Sequence, residues 1–163
     1  MNHEELTLHI NGTARTGLFP KGVRLLDALR RLGYTGTKEG CGEGECGACS
    51  VLMGNQVVNA CIIFAKQAVG QRLTTVEGFG ARYKDGLHPF QKALVETGGV
   101  QCGFCTPGIV VSGCQHLDTG GALHDDAIRD ALSGNLCRCT GYAKILDAVK
   151  LAAERMAAEK KSA

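Results

Sequence analysis

Nine cysteines in a chain of 163 residues are the feature that most restricts what this sequence can fold into. They form two groups, one before residue 62 and one after residue 101. The first residues lack the positive start and the apolar run of a secretory signal, so we expect a cytoplasmic protein. Disulfides are rare in the reducing cytoplasm. The cysteines are therefore interpreted as metal ligands, and the gap between the groups predicts two independent sites.

The composition argues against several classes of function. The 18 basic and 16 acidic residues give a net charge of +2, and the one basic block is Lys160-Lys161, so no nucleic-acid partner is expected. No apolar stretch approaches the ~20 residues that are needed to cross a bilayer, so no membrane span is expected. With 44% hydrophobic residues, the chain can form one or two small globular domains.

The first half has the period-two pattern of β-strands. Apolar residues alternate with polar ones up to Asn11-Gly12, a strong turn signal, which predicts a β-hairpin. A stretch of helical spacing then ends at Gly33, a residue type that often caps helices. The expected strands cover residues 5–10, 13–19, 50–53, 56–58 and 72–76, and the expected helix covers residues 23–32. The pattern predicts a small mixed sheet that holds one helix.

In the second half the apolar period changes from two to 3.6. The expected helices cover residues 89–97, 106–117, 125–132 and 142–159. Pro107 favours the second of these, because proline fits the first turn of a helix. The glycine-rich residues 78–86 are the expected linker, which leaves domains at residues 1–77 and 87–163. The second domain is predicted to be a small helical bundle with cysteine loops between its helices.

The first cysteine group has the spacing Cys41-x4-Cys46-x2-Cys49, with which plant-type ferredoxins hold a [2Fe-2S] cluster. Five glycines lie between residues 35 and 49. They permit the positive φ angles that a backbone needs in order to wrap around a cluster and bring its amides close to sulfur. Cys61 follows the second predicted hairpin by a few residues and is the expected fourth ligand.

The second group is Cys102-x2-Cys105 before one predicted helix and Cys137-x-Cys139 before the last. Two such pairs converge only if the bundle folds back on itself, and a four-thiolate site requires that convergence. Glycines allow these loops to bend, and they are Gly103, Gly108, Gly134 and Gly141. The sequence therefore predicts a second metal centre between the helices.

Two other interpretations of these eight cysteines compete with a cluster, namely buried free thiols and a four-thiolate zinc site. Buried free cysteines rarely gather in glycine loops, and zinc knuckles prefer two CxxC turns, so both are weaker. The ninth cysteine, Cys114, is expected to be a buried structural thiol in a helix. Glu43 and Glu45 are expected to be solvated, and residues 134–136 predict a turn and nothing more.

Three long motifs contain most of these cysteines: GCGEGECGAC at residues 40–49, QCGFCTPG at residues 101–108 and GNLCRCTGY at residues 134–142. Together they resemble the xanthine dehydrogenase/aldehyde oxidase family of molybdenum hydroxylases, and in particular its separate small iron–sulfur subunit. The resemblance covers essentially the whole chain in the same order. The short interval between Cys49 and Cys61 is also the pattern of the family.

The resemblance implies an α+β fold with an N-terminal ferredoxin-like β-grasp domain and a C-terminal four-helix-bundle [2Fe-2S] domain. It implies an outer cluster, nearer a flavin, bound by Cys41, Cys46, Cys49 and Cys61. It implies an inner cluster, nearer a molybdopterin cofactor, bound by Cys102, Cys105, Cys137 and Cys139. Gln101 and Cys139 match positions that lie against the pterin in the family, which implies that electrons enter there.

The resemblance also implies the activity. Molybdenum on a large molybdopterin-binding subunit would hydroxylate a C–H bond with water, and this chain would pass the electrons singly through two [2Fe-2S] clusters to FAD or another acceptor. A medium FAD-binding subunit and a dimer of heterotrimers are further expectations. The substrate stays open among purines, N-heteroaromatics, aldehydes, carbon monoxide and acyl thioesters, because its pocket lies on another chain.

Two alternative functions remain at this point: a free-standing two-cluster ferredoxin and a zinc-binding interaction module. Free ferredoxins usually dock through strong negative charge, so the net charge of +2 disfavours the first alternative. A zinc module would be colourless and free of acid-labile sulfide, whereas two clusters would give a brown protein.

Overall fold

A computed structural model describes residues 2–161 of the chain. The first half is a five-stranded mixed sheet with one helix, and the second half is a bundle of four helices. The strands are β1 (His3–Ile10), β2 (Thr13–Pro20), β3 (Ser50–Met53), β4 (Gln56–Asn59) and β5 (Arg72–Thr74). The helices are α1 (Leu25–Arg31), α2 (Pro89–Glu96), α3 (Thr106–Asp118), α4 (Asp125–Ala131) and α5 (Ala143–Lys161). The predicted α+β fold class is confirmed.

The sheet has the strand order β2-β1-β5-β3-β4. β1 and β2 form the predicted hairpin, in which Asn11 and Gly12 have φ angles of 51° and 80°, as a tight two-residue turn requires. β1 pairs in parallel with β5, and the other pairs are antiparallel, so the sheet is mixed as expected. The buried residues of β1 alternate strictly with exposed ones and share one core with the buried residues of α1; they are Leu6, Leu8 and Ile10.

The four helices of the second half share one core. α2 contributes Phe90, α3 contributes Ile109 and Cys114, and α5 contributes Ile145 and Val149, all of them at most 1% exposed. The prediction that Cys114 is a buried thiol in a helix is confirmed, and burial raises its pKa well above the ordinary value. None of the helices in the described part of the chain is long and apolar enough to cross a membrane.

Most element boundaries differ from the sequence prediction by one or two residues, and two of these differences have a clear local reason. The last helix begins at Ala143 and not at Tyr142, because Tyr142 has a φ of 66° in the left-handed region, which cannot continue a right-handed helix. The last strand ends at Thr74 and not at residue 76. There the backbone N–H of Thr75 donates to Oδ1 of Asn11 at 2.9 Å, and Val76 begins a short 3-10 turn.

The sheet and the helices have separate cores, and the two halves are in direct contact. Leu52 of β3 and Val57 of β4 pack against the helical core, and α3 lies across β3. Phe79, from the segment predicted to be a linker, is 7% exposed and belongs to the helical core. This segment is therefore anchored to the bundle, and the two cysteine loops are held near the boundary between the halves.

Candidate iron–sulfur centres

The first cysteine loop lies between α1 and β3 and is shaped by its glycines. Gly42, Gly44 and Gly47 have φ angles of 75°, 84° and 66°, which residues with a Cβ rarely adopt. Gly40 has an ordinary φ, but a Cβ there would lie 2.7 Å from Sγ of Cys46. These glycines let the chain fold tightly around its own cysteines, as the sequence predicted.

Backbone amides of this loop point at the sulfur atoms. The N–H groups of Glu43, Glu45 and Cys46 donate to Sγ of Cys41 at 3.3–3.4 Å. In return the N–H of Cys41 donates to Sγ of Cys46 at 3.4 Å. Hydrogen bonds from amides stabilise a thiolate, so the N–H groups of Glu43, Cys46 and Glu45 lower the pKa of Cys41 to about 6. The loop thus presents a thiolate that is ready to ligate a metal.

The other two cysteines of the first half are buried beneath this loop. Cys49 is 2% exposed and Cys61 is 3% exposed, and their side chains lie close enough for Cys61 to influence the pKa of Cys49. Burial raises the pKa of Cys49 to about 12, which a bound iron would offset because metal coordination deprotonates a thiol. The amide of Asn59 donates to the carbonyl of Gly44 at 2.5 Å and ties the loop to β4.

The second group of cysteines converges from two separate segments. Cys102 and Cys105 immediately precede α3, and Cys137 and Cys139 lie in the turn before α5. Sγ of Cys139 lies 3.6 Å from Sγ of Cys102, and the side chains of Cys105 and Cys137 lie close enough for Cys137 to influence the pKa of Cys105. The fold of the bundle thus achieves the convergence that the spacing required.

Side-chain hydroxyl groups form hydrogen bonds around the second group of cysteines. The hydroxyl of Thr140 donates to Sγ of Cys137 at 3.1 Å. The Tyr142 hydroxyl accepts from the backbone N–H of Cys137 at 2.7 Å and donates to the carbonyl of Asn135 at 2.9 Å. Burial acts to raise the pKa of Cys137, but hydrogen bonds from Thr140, together with Cys105 and Cys139, outweigh it and leave this pKa lowered. Burial raises the pKa of Cys105 to about 12.

The eight thiols are arranged in four pairs. The pairs are Cys41 with Cys46, Cys49 with Cys61, Cys102 with Cys139, and Cys105 with Cys137. A [2Fe-2S] cluster takes two protein ligands on each iron, so it requires two pairs of thiolates per site. Zinc instead requires four ligands that converge on one point. The donor set fits two clusters.

The two residues predicted to lie near a pterin are on the surface. Gln101 and Cys139 are both exposed, next to the exposed Cys102. Phe104 and Leu136, in the same loops, are 49% and 58% exposed. A partner could therefore reach this side of the second group, while the contact of Gln101 and Cys139 with a pterin stays a prediction. Glu43 and Glu45 are exposed as expected.

Sequence reasoning missed the residues that support the cysteines. Asn135 does form the predicted turn, with its N–H bonded to the carbonyl of Leu132 at 2.9 Å, but it is also 3% exposed and its side chain is fully hydrogen-bonded. Thr140, Tyr142 and Asn59 were not singled out either. Their positions in the sequence could have identified them, because three of these four polar residues lie within three residues of Cys137 or Cys139.

Comparison with known proteins agrees with this arrangement. Residues 8–67 match the family of 2Fe-2S iron-sulfur cluster binding domains, and residues 75–150 match the [2Fe-2S] binding domain family. The nicotinate dehydrogenase small FeS subunit of Eubacterium barkeri is 45% identical over 158 residues, which cover 96% of this chain and 99% of that subunit. Xanthine dehydrogenase 1 of Arabidopsis thaliana is 42% identical, and the matched region covers 92% of this chain but 12% of that protein.

Solved structures extend the similarity to three dimensions. Quinoline 2-oxidoreductase from Pseudomonas putida 86 contains a chain that superposes with a TM-score of 0.87 and 37% identity, covering 96% of this chain and 97% of that one. The aldehyde oxidoreductase from Desulfovibrio desulfuricans matches with a TM-score of 0.88 and 44% identity over 96% of this chain and 17% of that one. The same unit thus occurs both as a separate chain and as a small part of a longer one.

The fold and the paired thiols define an electron-transfer protein with two [2Fe-2S] domains. More narrowly, the chain belongs to the small iron–sulfur subunits of the xanthine dehydrogenase/aldehyde oxidase family of molybdenum hydroxylases. It is the electron-transfer subunit of a molybdenum-dependent oxidoreductase. A large partner is implied, since its relatives are small subunits or short regions of larger enzymes.

Proposed function

We propose that Cys41, Cys46, Cys49 and Cys61 bind one [2Fe-2S] cluster, and that Cys102, Cys105, Cys137 and Cys139 bind the other. The observation that carries this assignment is the pairing of the eight thiols, two pairs in each half. Each cluster would accept and release one electron at a time. The division into domains at residues 1–77 and 87–163, joined by residues 78–86, is supported by the separate cores of sheet and bundle.

The proposed route runs from the second group of cysteines to the first. Gln101 and Cys139 are proposed to face the molybdopterin of the large subunit, and their exposure supports this. The half-exposed Phe104 and the exposed Leu136 would pack against that subunit and keep water from the sulfurs. This chain's own task is to hold the ligands, exclude solvent and fix the separation of the two groups.

The remaining partners are proposed from the family likeness. A medium FAD-binding subunit would lie beside the first group, where Ile62 and Phe64 are 61% and 56% exposed and available for contact. The whole enzyme is proposed to be a cytoplasmic dimer of heterotrimers. The free-standing ferredoxin is the weaker reading, because relatives that match over nearly their whole length are subunits.

Metal analysis of the anaerobically purified assembly tests the assignment. We expect about four iron and about four acid-labile sulfide per chain, together with a brown colour. Co-purification with a large molybdenum protein separates the subunit from a free-standing ferredoxin. A colourless protein with zinc and no labile sulfide would contradict the proposal and support the zinc module instead.

A further inference from the structure

The two cysteine loops touch each other through their backbones. The N–H of Leu136 donates to the carbonyl of Cys46 at 2.9 Å, so a single hydrogen bond joins a residue of the first group to the neighbour of Cys137. The rim of the Phe104 ring also approaches the first loop, since a Cβ built on Gly40 would lie 3.6 Å from it. The shortest connection between the two sites therefore crosses the contact between the halves.

One buried side chain spans this contact. The amide nitrogen of Asn135 donates to the carbonyl of Gly47 at 3.0 Å and approaches Oγ of Ser50 at 3.2 Å, both in the first half. Its amide oxygen accepts from the hydroxyl of Ser112, in α3 of the second half, at 2.5 Å. Asn135 is 3% exposed and directly precedes Leu136. Its amide is thus held from both halves at once.

The surrounding residues leave no room for the loops to shift closer. A Cβ at Gly47 would lie 2.1 Å from the carbonyl oxygen of Gly134, and a Cβ at Gly108 would lie 2.1 Å from that of Gly47. Backbone therefore packs directly on backbone on either side of the Asn135 amide. Because close-packed interiors transmit small displacements, a change at this amide would move one loop relative to the other.

We propose that Asn135 is a positioning residue that fixes the distance and orientation between the two cysteine sites and so sets the rate of electron transfer between them. The inference rests on the ligand assignment proposed above. Asn135 does not touch a candidate ligand sulfur through its side chain. It acts through the carbonyl of Gly47, the residue that follows Cys46. It also acts through its own neighbour Leu136, the residue that precedes Cys137.

The test is Asn135→Leu, a substitution of similar size that removes both hydrogen-bonding ends of the side chain. It is made in the enzyme purified with its partner subunits, and iron and sulfide are measured first. The deciding readouts are the magnetic coupling between the two reduced clusters in electron paramagnetic resonance, and the rate at which the outer cluster is reduced after substrate is mixed in. We expect full clusters, altered coupling and about 10-fold slower reduction, the size typical of lost outer-shell support.

Asn55→Leu is the matched control. Asn55 lines the same cleft of about 550 Å³ between the halves as Asn135 does, but it is exposed and lies in the turn between β3 and β4. The same chemical change at this position is expected to leave both the coupling and the rate at their wild-type values. An equal effect of the two substitutions would mean that the cleft in general, and not Asn135, controls the spacing, which overturns the proposal.

Ser112→Ala is the second variant, needed if Asn135→Leu fails to load both clusters. It removes only the hydroxyl that orients the Asn135 amide, so we expect full loading with a smaller change of coupling and rate in the same direction. Wild-type coupling and rate in every loaded variant overturn the inference. The ligand assignment is judged separately by the metal content of the wild-type enzyme and by Cys137→Ser, so the two failures are distinguishable.

Discussion

The two cysteine sites bring their thiols together in different ways. The first is built mainly from one short loop, where three positive-φ glycines turn backbone amides toward the sulfurs of Cys41 and Cys46. The second is assembled from two segments that precede α3 and α5, and the side-chain hydroxyl of Thr140 donates to the sulfur of Cys137. Local backbone geometry shapes one site, and packing of the bundle shapes the other.

This difference implies that the sites should fail for different reasons. A loop whose donors are its own amides keeps its geometry as long as its glycines are intact. A site whose halves arrive on separate helices depends on every contact that holds those helices together. Changes to single residues can therefore break one site and spare the other, and the expected effects below run from the largest to the smallest.

Cys137→Ser should have the largest effect, because it removes one thiolate from the second site. We expect about half of the iron to be lost, with the spectrum of the first cluster nearly intact. Substrate should no longer reduce the outer cluster. The measurement is iron content together with electron paramagnetic resonance after substrate addition, and Cys114→Ser, at a buried helix thiol, is the control that should retain both clusters. Unaltered electron delivery would remove Cys137 from the route.

Phe90→Ala should loosen the second site without touching a ligand. Phe90 is fully buried in the helical core, and truncation of such a ring costs about 3–5 kcal/mol of unfolding free energy. On heating, we expect the signal of the second cluster to disappear before that of the first. The matched variant is Phe19→Ala in the sheet core, where Phe19 is 2% exposed, and there the order should reverse. Simultaneous loss in both variants would mean that the halves unfold as one unit.

Gly47→Ala and Gly103→Ala compare the glycines of the two loops. Both positions have positive φ, at 66° and 81°, so each alanine costs about 1–2 kcal/mol of backbone strain. At Gly103 a Cβ would meet nothing within 4 Å, whereas at Gly47 it would collide with the carbonyl of Gly134. We therefore expect Gly47→Ala to lower the thermal unfolding temperature and the iron content more than Gly103→Ala does. Equal losses of thermal stability and iron in the two variants would show that the contact between the halves does not stabilise the loop.

Tyr142→Phe should have the smallest effect of the four. It removes the hydroxyl that bonds the backbone of Cys137 and of Asn135, and a lost hydrogen bond of this kind costs about 1 kcal/mol. We expect a small shift of the reduction potential of the second cluster and no shift for the first, measured by redox titration. Tyr34→Phe removes an exposed hydroxyl that accepts from Arg15 and should change neither potential.

The sequence predicted most of the elements but not the contacts between the halves. The hairpin at Asn11-Gly12 and the loop from Cys41 to Cys49 were predictable because their information is local, in turn residues and ligand spacing. The start of α5 at Ala143 was missed, because the left-handed backbone of Tyr142 depends on bonds to residues around Cys137. The role of Asn135 was missed for a similar reason, since its partners Gly47 and Ser112 lie far away in the chain.

The exposure of Cys102 and Cys139 has a consequence for the biogenesis of the enzyme. Exposed sulfurs are the ones that dissolved oxidants reach first. If the large partner docks on this side as proposed, a freshly loaded subunit is most vulnerable to air before docking and is shielded by the partner's surface afterwards. We therefore expect the yield of intact protein from an expression host to depend on coexpression with that partner, even though the chain has two complete cores of its own.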